Sequence, residues 1–568
     1  MFFGWNWWLV HQWGESWSRV DKPLTLSGSR SLFLVMLRAL GRASCALGFP
    51  VRIGQSFWFE RTRCAMAKTS DYLALDYGAE SGRGLLGRFD GERLTLEEIH
   101  RFPNGPIRML DTLYWDFPRL FDEAKTALRK AAAVYPGLDG VGVDTWGVDF
   151  GLIGRGDTLL GNPVNYRDAR TEGMLEAAFR RVPRERIYEI SGLQFLQFNT
   201  LYQLLAMKLA NSPLLENAET LLMIPDLFAW LLTGRRAGER TDASTTQLLD
   251  PRAGVWSDPL CQELGLPRHI LPELIDPGTE IGPLRKSVAE EVGISKSLSV
   301  LAPATHDTAS AVAAVPVVRP AGVVDVVGPP DWCYLSSGTW SLLGVEVPRP
   351  IITAETLEGN FTNEGGVAGT TRLLKNIMGL WIVQECRRTW ARAGREFSYD
   401  ELLVRAEAAP PFAALVDPDD TSFLSPGDMP TRLAAYCSKT GQPIPQNEGE
   451  FVRCALESLA LKYRWTIERL ERIIGSPIRT IHVVGGGARN TLLCQFTADA
   501  CGRMVLAGPI EATAAGNVLL QAMGRGRIGS LTDAREIVAR SFPVTVFEPR
   551  QTQVWDDAKA KFATLVPA

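Results

Sequence analysis

The chain has little of what marks metal, redox or nucleic-acid chemistry. Its 568 residues include only five histidines, at 11, 100, 269, 306 and 482, and none stands in an HExxH or similar ligand spacing. The nine cysteines are odd in number and contain no CxxC pair. That pattern predicts reduced thiols in a cytoplasmic protein, not a disulfide framework or a structural zinc. The net charge of −4 predicts no basic face and so no nucleic-acid partner. The most apolar early stretch, 31–49, is broken by Arg38 and Arg42. It falls short of the about 20 apolar residues a membrane span needs, so no membrane partner is expected. No GxxxxGK[ST] loop occurs, no GxGxxG follows a strand, and the protein-kinase signature set is missing.

What is present is an ordinary globular composition, 46% hydrophobic and 22% charged. At this length two or three domains are expected. The first 65 residues stand apart, with six of the sixteen tryptophans, eight Arg or Lys and only three acids. Residues 1–70 are therefore set aside as an extension, disordered or upstream of a true start at Met66, and the tail 551–568 as a short appendage.

Three glycine turns carry the signal. Leu73-Ala-Leu-Asp76-Tyr-Gly78-Ala79-Glu80-Ser81-Gly82-Arg83 and Tyr334-Leu-Ser-Ser-Gly338-Thr339-Trp-Ser-Leu-Leu each run an apolar strand into a small turn and out into a second strand. Val483-Val484-Gly485-Gly486-Gly487 is the third. Backbone N–H groups in such turns can face a phosphate unobstructed. One phosphate turn per half plus a late glycine turn predicts a two-lobed nucleotide clamp.

Around these turns the pattern is mixed α/β. Strands are expected at 73–76 and 84–89, a helix at 113–135, and a strand at 140–150 broken by Trp146-Gly147. Residues 182–233 read as helix cut by loops around 191–199 and at Pro225. A helix is expected at 309–314 and a crossover between lobes at 317–330. Beyond it, a long amphipathic helix at 447–475 precedes a buried strand at 481–484. Helices at 491–501 and 512–523 flank a strand at 503–506.

Two carboxylates stand out. Asp76 ends an apolar run, which costs desolvation unless it meets a cation or donors. It is either a turn cap or a partner of Mg2+ near nucleotide phosphates. Asp307, in Thr305-His306-Asp307-Thr308, stands between an apolar segment and an alanine-rich helix. It either begins that helix as a cap or accepts a proton from an attacking hydroxyl.

With both hairpins and this triplet in view, the chain resembles the FGGY carbohydrate kinases of the sugar kinase/actin/heat-shock ATPase superfamily. The resemblance runs from about Tyr72 to Pro549. It includes Val143-Asp-Thr-Trp-Gly-Val-Asp-Phe150, Tyr166-Arg-Asp-Ala-Arg170, Phe198-Asn-Thr-Leu-Tyr-Gln-Leu204, Thr362-Asn-Glu-Gly-Gly366, Leu374-Lys-Asn-Ile-Met-Gly-Leu-Trp381 and Val483–Asn490. It implies an α/β fold of two ribonuclease-H-like (actin-like ATPase) lobes flanking a deep catalytic cleft. The N-terminal sugar-binding lobe would span 71–316 and the C-terminal nucleotide-binding lobe 317–550. It implies ATP and Mg2+ as cofactors, and transfer of the γ-phosphate to the 1-hydroxyl of L-rhamnulose. L-fuculose or L-xylulose are alternative ketoses, and a non-catalytic actin-like ATP-binding protein or an inactive sugar sensor an alternative class. A monomer or small homo-oligomer is expected.

Residue by residue, the resemblance implies Asp307 as proton acceptor. Gly147, His306, Asp307, Thr308 and Asn376 would contact sugar. Ala79, Glu80, Ser81, Gly82, Arg83, Thr339, Gln384 and Gly486 would contact nucleotide, with Asp76 near Mg2+ through water. Trp146, Asn363 and Glu364 are further candidates, each equally readable as structural; Arg167 and Arg170 could hold sugar hydroxyls, but the structural role of pinning the lobe surface is favoured. Glu80 departs from the family's serine; a carboxylate there should point away from phosphate or meet a cation. The cysteine pair of some relatives is replaced by Thr497 and Cys501, so no disulfide is expected there.

Overall fold

A continuous buried apolar run, Tyr72-Leu-Ala-Leu75, starts the first sheet. The structure, a computed structural model, describes residues 69–317 and 330–566. The extension expected at 1–70 lies outside the described residues but for its last two positions, and the crossover at 317–330 but for its ends.

In the first half, β1 (Ser70–Tyr77), β2 (Ser81–Phe89) and β3 (Leu94–Pro103) form an antiparallel meander. Helix α1 (Phe117–Val134) follows, then β4 (Gly140–Thr145), β5 (Glu280–Pro283) and β6 (Ser299–Leu301). The sheet order is β5-β6-β4-β1-β2-β3, with β4 parallel to both β1 and β6. Helix α2 (Asp307–Ala313) leaves its C-terminal side.

The second half repeats the plan with β7 (Trp332–Ser337), β8 (Trp340–Val347), β9 (Thr362–Gly365) and β10 (Thr371–Met378). Helices α3 (Trp381–Arg392) and α4 (Glu448–Ile474) come next, then β11 (Thr480–Val484), α5 (Thr491–Cys501), β12 (Met504–Ala507), α6 (Ala512–Gly524) and β13 (Thr545–Phe547). The order is β9-β10-β8-β7-β11-β12-β13. The runs β3-β2-β1-β4-β6 and β10-β8-β7-β11-β12 have the same topology: three antiparallel strands, then two parallel to the first. Each half thus turns its first hairpin and the end of its fourth strand towards one edge.

Local chemistry accounts for the boundaries. α1 begins after Asp116, whose carboxylate accepts the Arg119 N–H, and Pro118 fits its first turn. The expected start at 113 is displaced because Thr112–Trp115 pairs as a strand with Pro106–Met109. Asn447 caps α4 through the Glu450 N–H, and Gly475 closes it at φ 67°. Residues 182–233 are not all helical: Ala218–Met223 is a strand paired with Phe150–Gly154. Pro225 sits in the first turn of Ile224–Thr233 and does not cut a helix. Among the described residues, no helix is long and apolar enough to cross a membrane.

Where the halves meet, α6 lies on α2, β1 and β4. A methyl on Gly516 would stand 1.8 Å from the Ser310 carbonyl oxygen. That crossing admits only glycine.

Candidate active site

The ends of β1, β4 and β7, the start of α2 and the Gly485 turn border one cavity of about 310 Å3 between the halves. Each wall follows from the strand that ends there. β1 breaks at Gly78-Ala79-Glu80, where the Gly78 N–H reaches the Ser81 carbonyl at 3.0 Å and Asn104 braces the turn through Gly78 O and the Glu80 carbonyl. β7 breaks at Gly338-Thr339, whose carbonyls accept the Leu380 and Trp381 N–H groups at the start of α3. After β11, Gly485 turns at φ 82°, left-handed backbone that favours glycine, and a methyl on Gly487 would collide with Ser337.

The cavity brings together Asp76, Ala79, Glu80, Ser81, Arg83, Gly147, His306, Asp307, Thr308, Thr339, Asn376, Gln384 and Gly486. Gly82, expected at the nucleotide, does not line it. A methyl on Gly82 would lie 2.1 Å from the Phe102 ring, so this glycine serves sheet packing.

Asp307 is the first residue of α2. His306 occupies the cap position without a side-chain capping bond, so Asp307 is not the helix cap. Its carboxyl stays about one-third exposed, with Thr308 Oγ1 donating at 3.1 Å and His306 Nε2 standing 3.6 Å away, beyond hydrogen-bond reach. Burial pushes it above the ordinary carboxylate range, and the neighbouring His306 opposes that shift.

Asp76 does meet a cation, but it is Arg83, directly opposite in the β1–β2 register and bonded at 2.5 Å. Arg83 also pairs with Glu511. Behind Asp76, Asp144 is fully buried, and burial with the Asp76 charge pushes its carboxyl well up; Asn517 Nδ2 donates to it at 2.6 Å. Among the described residues, no three His, Cys, Asp or Glu side chains gather into a metal cage. Asp76, which lines the cavity without other carboxylates gathered round it into a cage, fits a hard cation held mainly by phosphate oxygens and water.

Glu80 pairs with Arg388 of α3, which also binds buried Glu385. The pair links the first hairpin to the helix carrying Gln384. Its partners are 28% and 38% exposed, so it contributes at most about 1 kcal/mol.

Gly147 is confined by protein: a methyl there would stand 2.9 Å from Thr245 Oγ1. Val148 follows at φ 68°, unfavourable for a β-branched residue, and typically costs about 1–3 kcal/mol. Thr245 Oγ1 accepts its N–H at 3.0 Å, while Thr200 and Gln203 donate to its carbonyl. Trp146 lines the wall, its indole N–H bonded to Asp149. Asp149 also accepts from Trp115, Gln203 and the Tyr166 N–H, and burial raises it to about 6.

Arg167 stacks on Trp381 at 3.6 Å and Arg170 binds Gln203, both away from the cavity. Asn363 is consumed by Gly192 and Ile351. Glu364 does line the cavity. Sequence reasoning missed Gln194 and Thr245. Gln194 clamps the Asn376 backbone, accepting its N–H at 2.8 Å and donating to its carbonyl at 3.1 Å.

The model of the FGGY family of carbohydrate kinases, N-terminal domain, matches residues 72–314, and that of the C-terminal domain matches 333–525. The chain is 43% identical over 496 residues to "Rhamnulokinase" of Bacteroides thetaiotaomicron, covering 87% of this chain and 99% of that protein. It is 41% identical to "Rhamnulokinase" of Oceanobacillus iheyensis, covering 84% and 97%. In fold it matches a xylulose kinase from Lactobacillus acidophilus (TM-score 0.68, 16% identity, 87% and 96% covered). A glycerol kinase from Plasmodium falciparum with ADP also matches (TM-score 0.66, 14% identity, 87% and 97% covered). The chain belongs to the FGGY family of carbohydrate kinases, ATP-dependent phosphotransferases that act with a divalent metal.

Proposed function

We propose that this kinase phosphorylates L-rhamnulose at its 1-hydroxyl with ATP and Mg2+, as a step of L-rhamnose breakdown. The observation that carries the reading is the single cavity in which the Asp307 carboxylate shares walls with both glycine hairpins. The choice of ketose is supported by relatives about 40% identical over most of their length that bear the name rhamnulokinase.

In this reading the sugar lies against Gly147, His306, Thr308 and Asn376, with O1 facing Asp307. The nucleotide phosphates lie between the Ala79–Arg83 hairpin and Thr339, reached also by Gln384 and Gly486. Mg2+, when bound, offsets phosphate charge, with Asp76 in its outer shell. Asp307 takes the O1 proton as the O1–P bond forms and the bond from the γ-phosphorus to the bridging oxygen breaks, leaving ADP. Burial makes Asp307 a better acceptor than a solvated carboxylate. Most of the remaining acceleration comes from alignment and fixed donors. We place the activity in the cytoplasm, where ATP is supplied, and expect a monomer or small homo-oligomer.

Purified protein assayed for ADP release with L-rhamnulose, L-fuculose and L-xylulose tests the proposal, with the product's phosphate located by NMR. L-Rhamnulose 1-phosphate as the preferred product is the expected result. Preference for another ketose, or no sugar-dependent ADP, rejects it.

A further inference from the structure

We propose that Arg372 fixes which nitrogen of His306 carries the proton, and thereby leaves Asp307 as the sole proton acceptor beside the sugar hydroxyl. The inference rests on the reading of Asp307 as the base.

The observations lie behind the cavity wall. Arg372, on β10, is fully buried, and it stands opposite Glu364 of β9 in the cross-strand register. Its guanidinium makes two hydrogen bonds and one ion pair. Nε donates to the Gly365 carbonyl at 2.9 Å, and Nη2 reaches both Glu364 Oε2 at 3.2 Å and His306 Nδ1 at 3.1 Å. His306 belongs to the other half of the molecule. Its backbone is fixed by a bridge to Thr145 and by its N–H to Thr241 Oγ1 at 3.2 Å. The opposite ring nitrogen, Nε2, faces Asp307 Oδ1 at 3.6 Å.

Arginine has donors only and does not lose its proton. A proton on Nδ1 would therefore set N–H against N–H at 3.1 Å. Nδ1 must present its lone pair, which puts the single imidazole proton on Nε2. Glu364 faces Nδ1 too, at 3.4 Å, but its charge is already answered by Arg372. Although burial opposes ionisation, that guanidinium holds the Glu364 carboxyl below its ordinary value.

The consequence is chemical. An imidazole is ordinarily a stronger base than a carboxylate, about 6.5 against about 3.9. With a free Nε2 lone pair, His306 would compete for the sugar proton. With Nε2–H it only donates, to a sugar oxygen or to Asp307, and the proton goes to Asp307. Arg372 is thus a positioning residue that acts through His306. It reaches across from the second half, so the assignment holds only while the halves are together.

The test is 15N NMR of protein labelled at histidine, without sugar or nucleotide, so it does not depend on Asp307 being the base. The His306 signals are identified by their loss in His306→Asn. Wild type should show a neutral ring protonated at Nε2. Arg372→Lys, which keeps a cationic donor, should preserve that state. Arg372→Gln should lose it, and should lower kcat about tenfold or more with less than about twofold change in the KM for ATP. A wild-type ring protonated at Nδ1, or at both nitrogens, overturns the proposal, as does an unchanged tautomer in Arg372→Gln. Should Arg372→Gln not fold, the wild-type spectrum decides alone.

Discussion

At the residue scale, function turns on carboxylates whose surroundings differ. Asp76 is neutralised by Arg83, Asp144 is sealed behind it, and Asp307 alone stays part-open to the cavity with its carboxyl raised by burial. A base works when unprotonated, so kcat/KM for sugar should fall as pH drops through the Asp307 value. That acid limb should lie above the ordinary Asp range of about 3.9. A pH–rate profile of free enzyme checks this; a flat profile down to pH 4 contradicts it. The triplet His306-Asp307-Thr308 was legible in the sequence because a polar group interrupts two apolar segments. Arg372 was not, since His306, through which it acts, lies 66 positions away in the other half. A hairpin motif also does not reveal which of its glycines lines the cavity and which, like Gly82, packs on a ring such as Phe102.

At the element scale, helices with strong caps were readable almost to the residue. Asn447 and Gly475 bracket α4 as their chemistry predicts. Ala218–Met223 was not readable: its Ala, Glu, Leu and Met favour helix, and pairing with Phe150–Gly154 overrides that preference. The α2–α6 crossing was equally silent, because Gly516 matters only once Ser310 lies against it. Gly516→Ala should lower stability by about 1–3 kcal/mol or more, since backbone, not a flexible side chain, blocks the methyl. Denaturant unfolding of the variant measures this; wild-type stability would show that the helices separate freely. By contrast the Glu80–Arg388 pair is about one-third exposed, so Glu80 makes a modest electrostatic contact at the cavity mouth.

At the scale of the whole molecule, one topology occurs twice, and the two copies face each other so that hairpins, glycine turn and base share a single space. The recurrence is visible in the sequence as paired glycine hairpins. Their convergence is not, because it depends on how α6 and α2 join the halves. The account's central claim is that this space aligns a triphosphate with a ketose hydroxyl beside a carboxylate that removes its proton. The most direct measurement is the turnover of Asp307→Asn with ATP, Mg2+ and L-rhamnulose, alongside a circular dichroism spectrum and melt to verify its fold. The account predicts a folded protein with kcat reduced about 10²–10⁴-fold. A folded variant turning over at nearly the wild-type rate would contradict it.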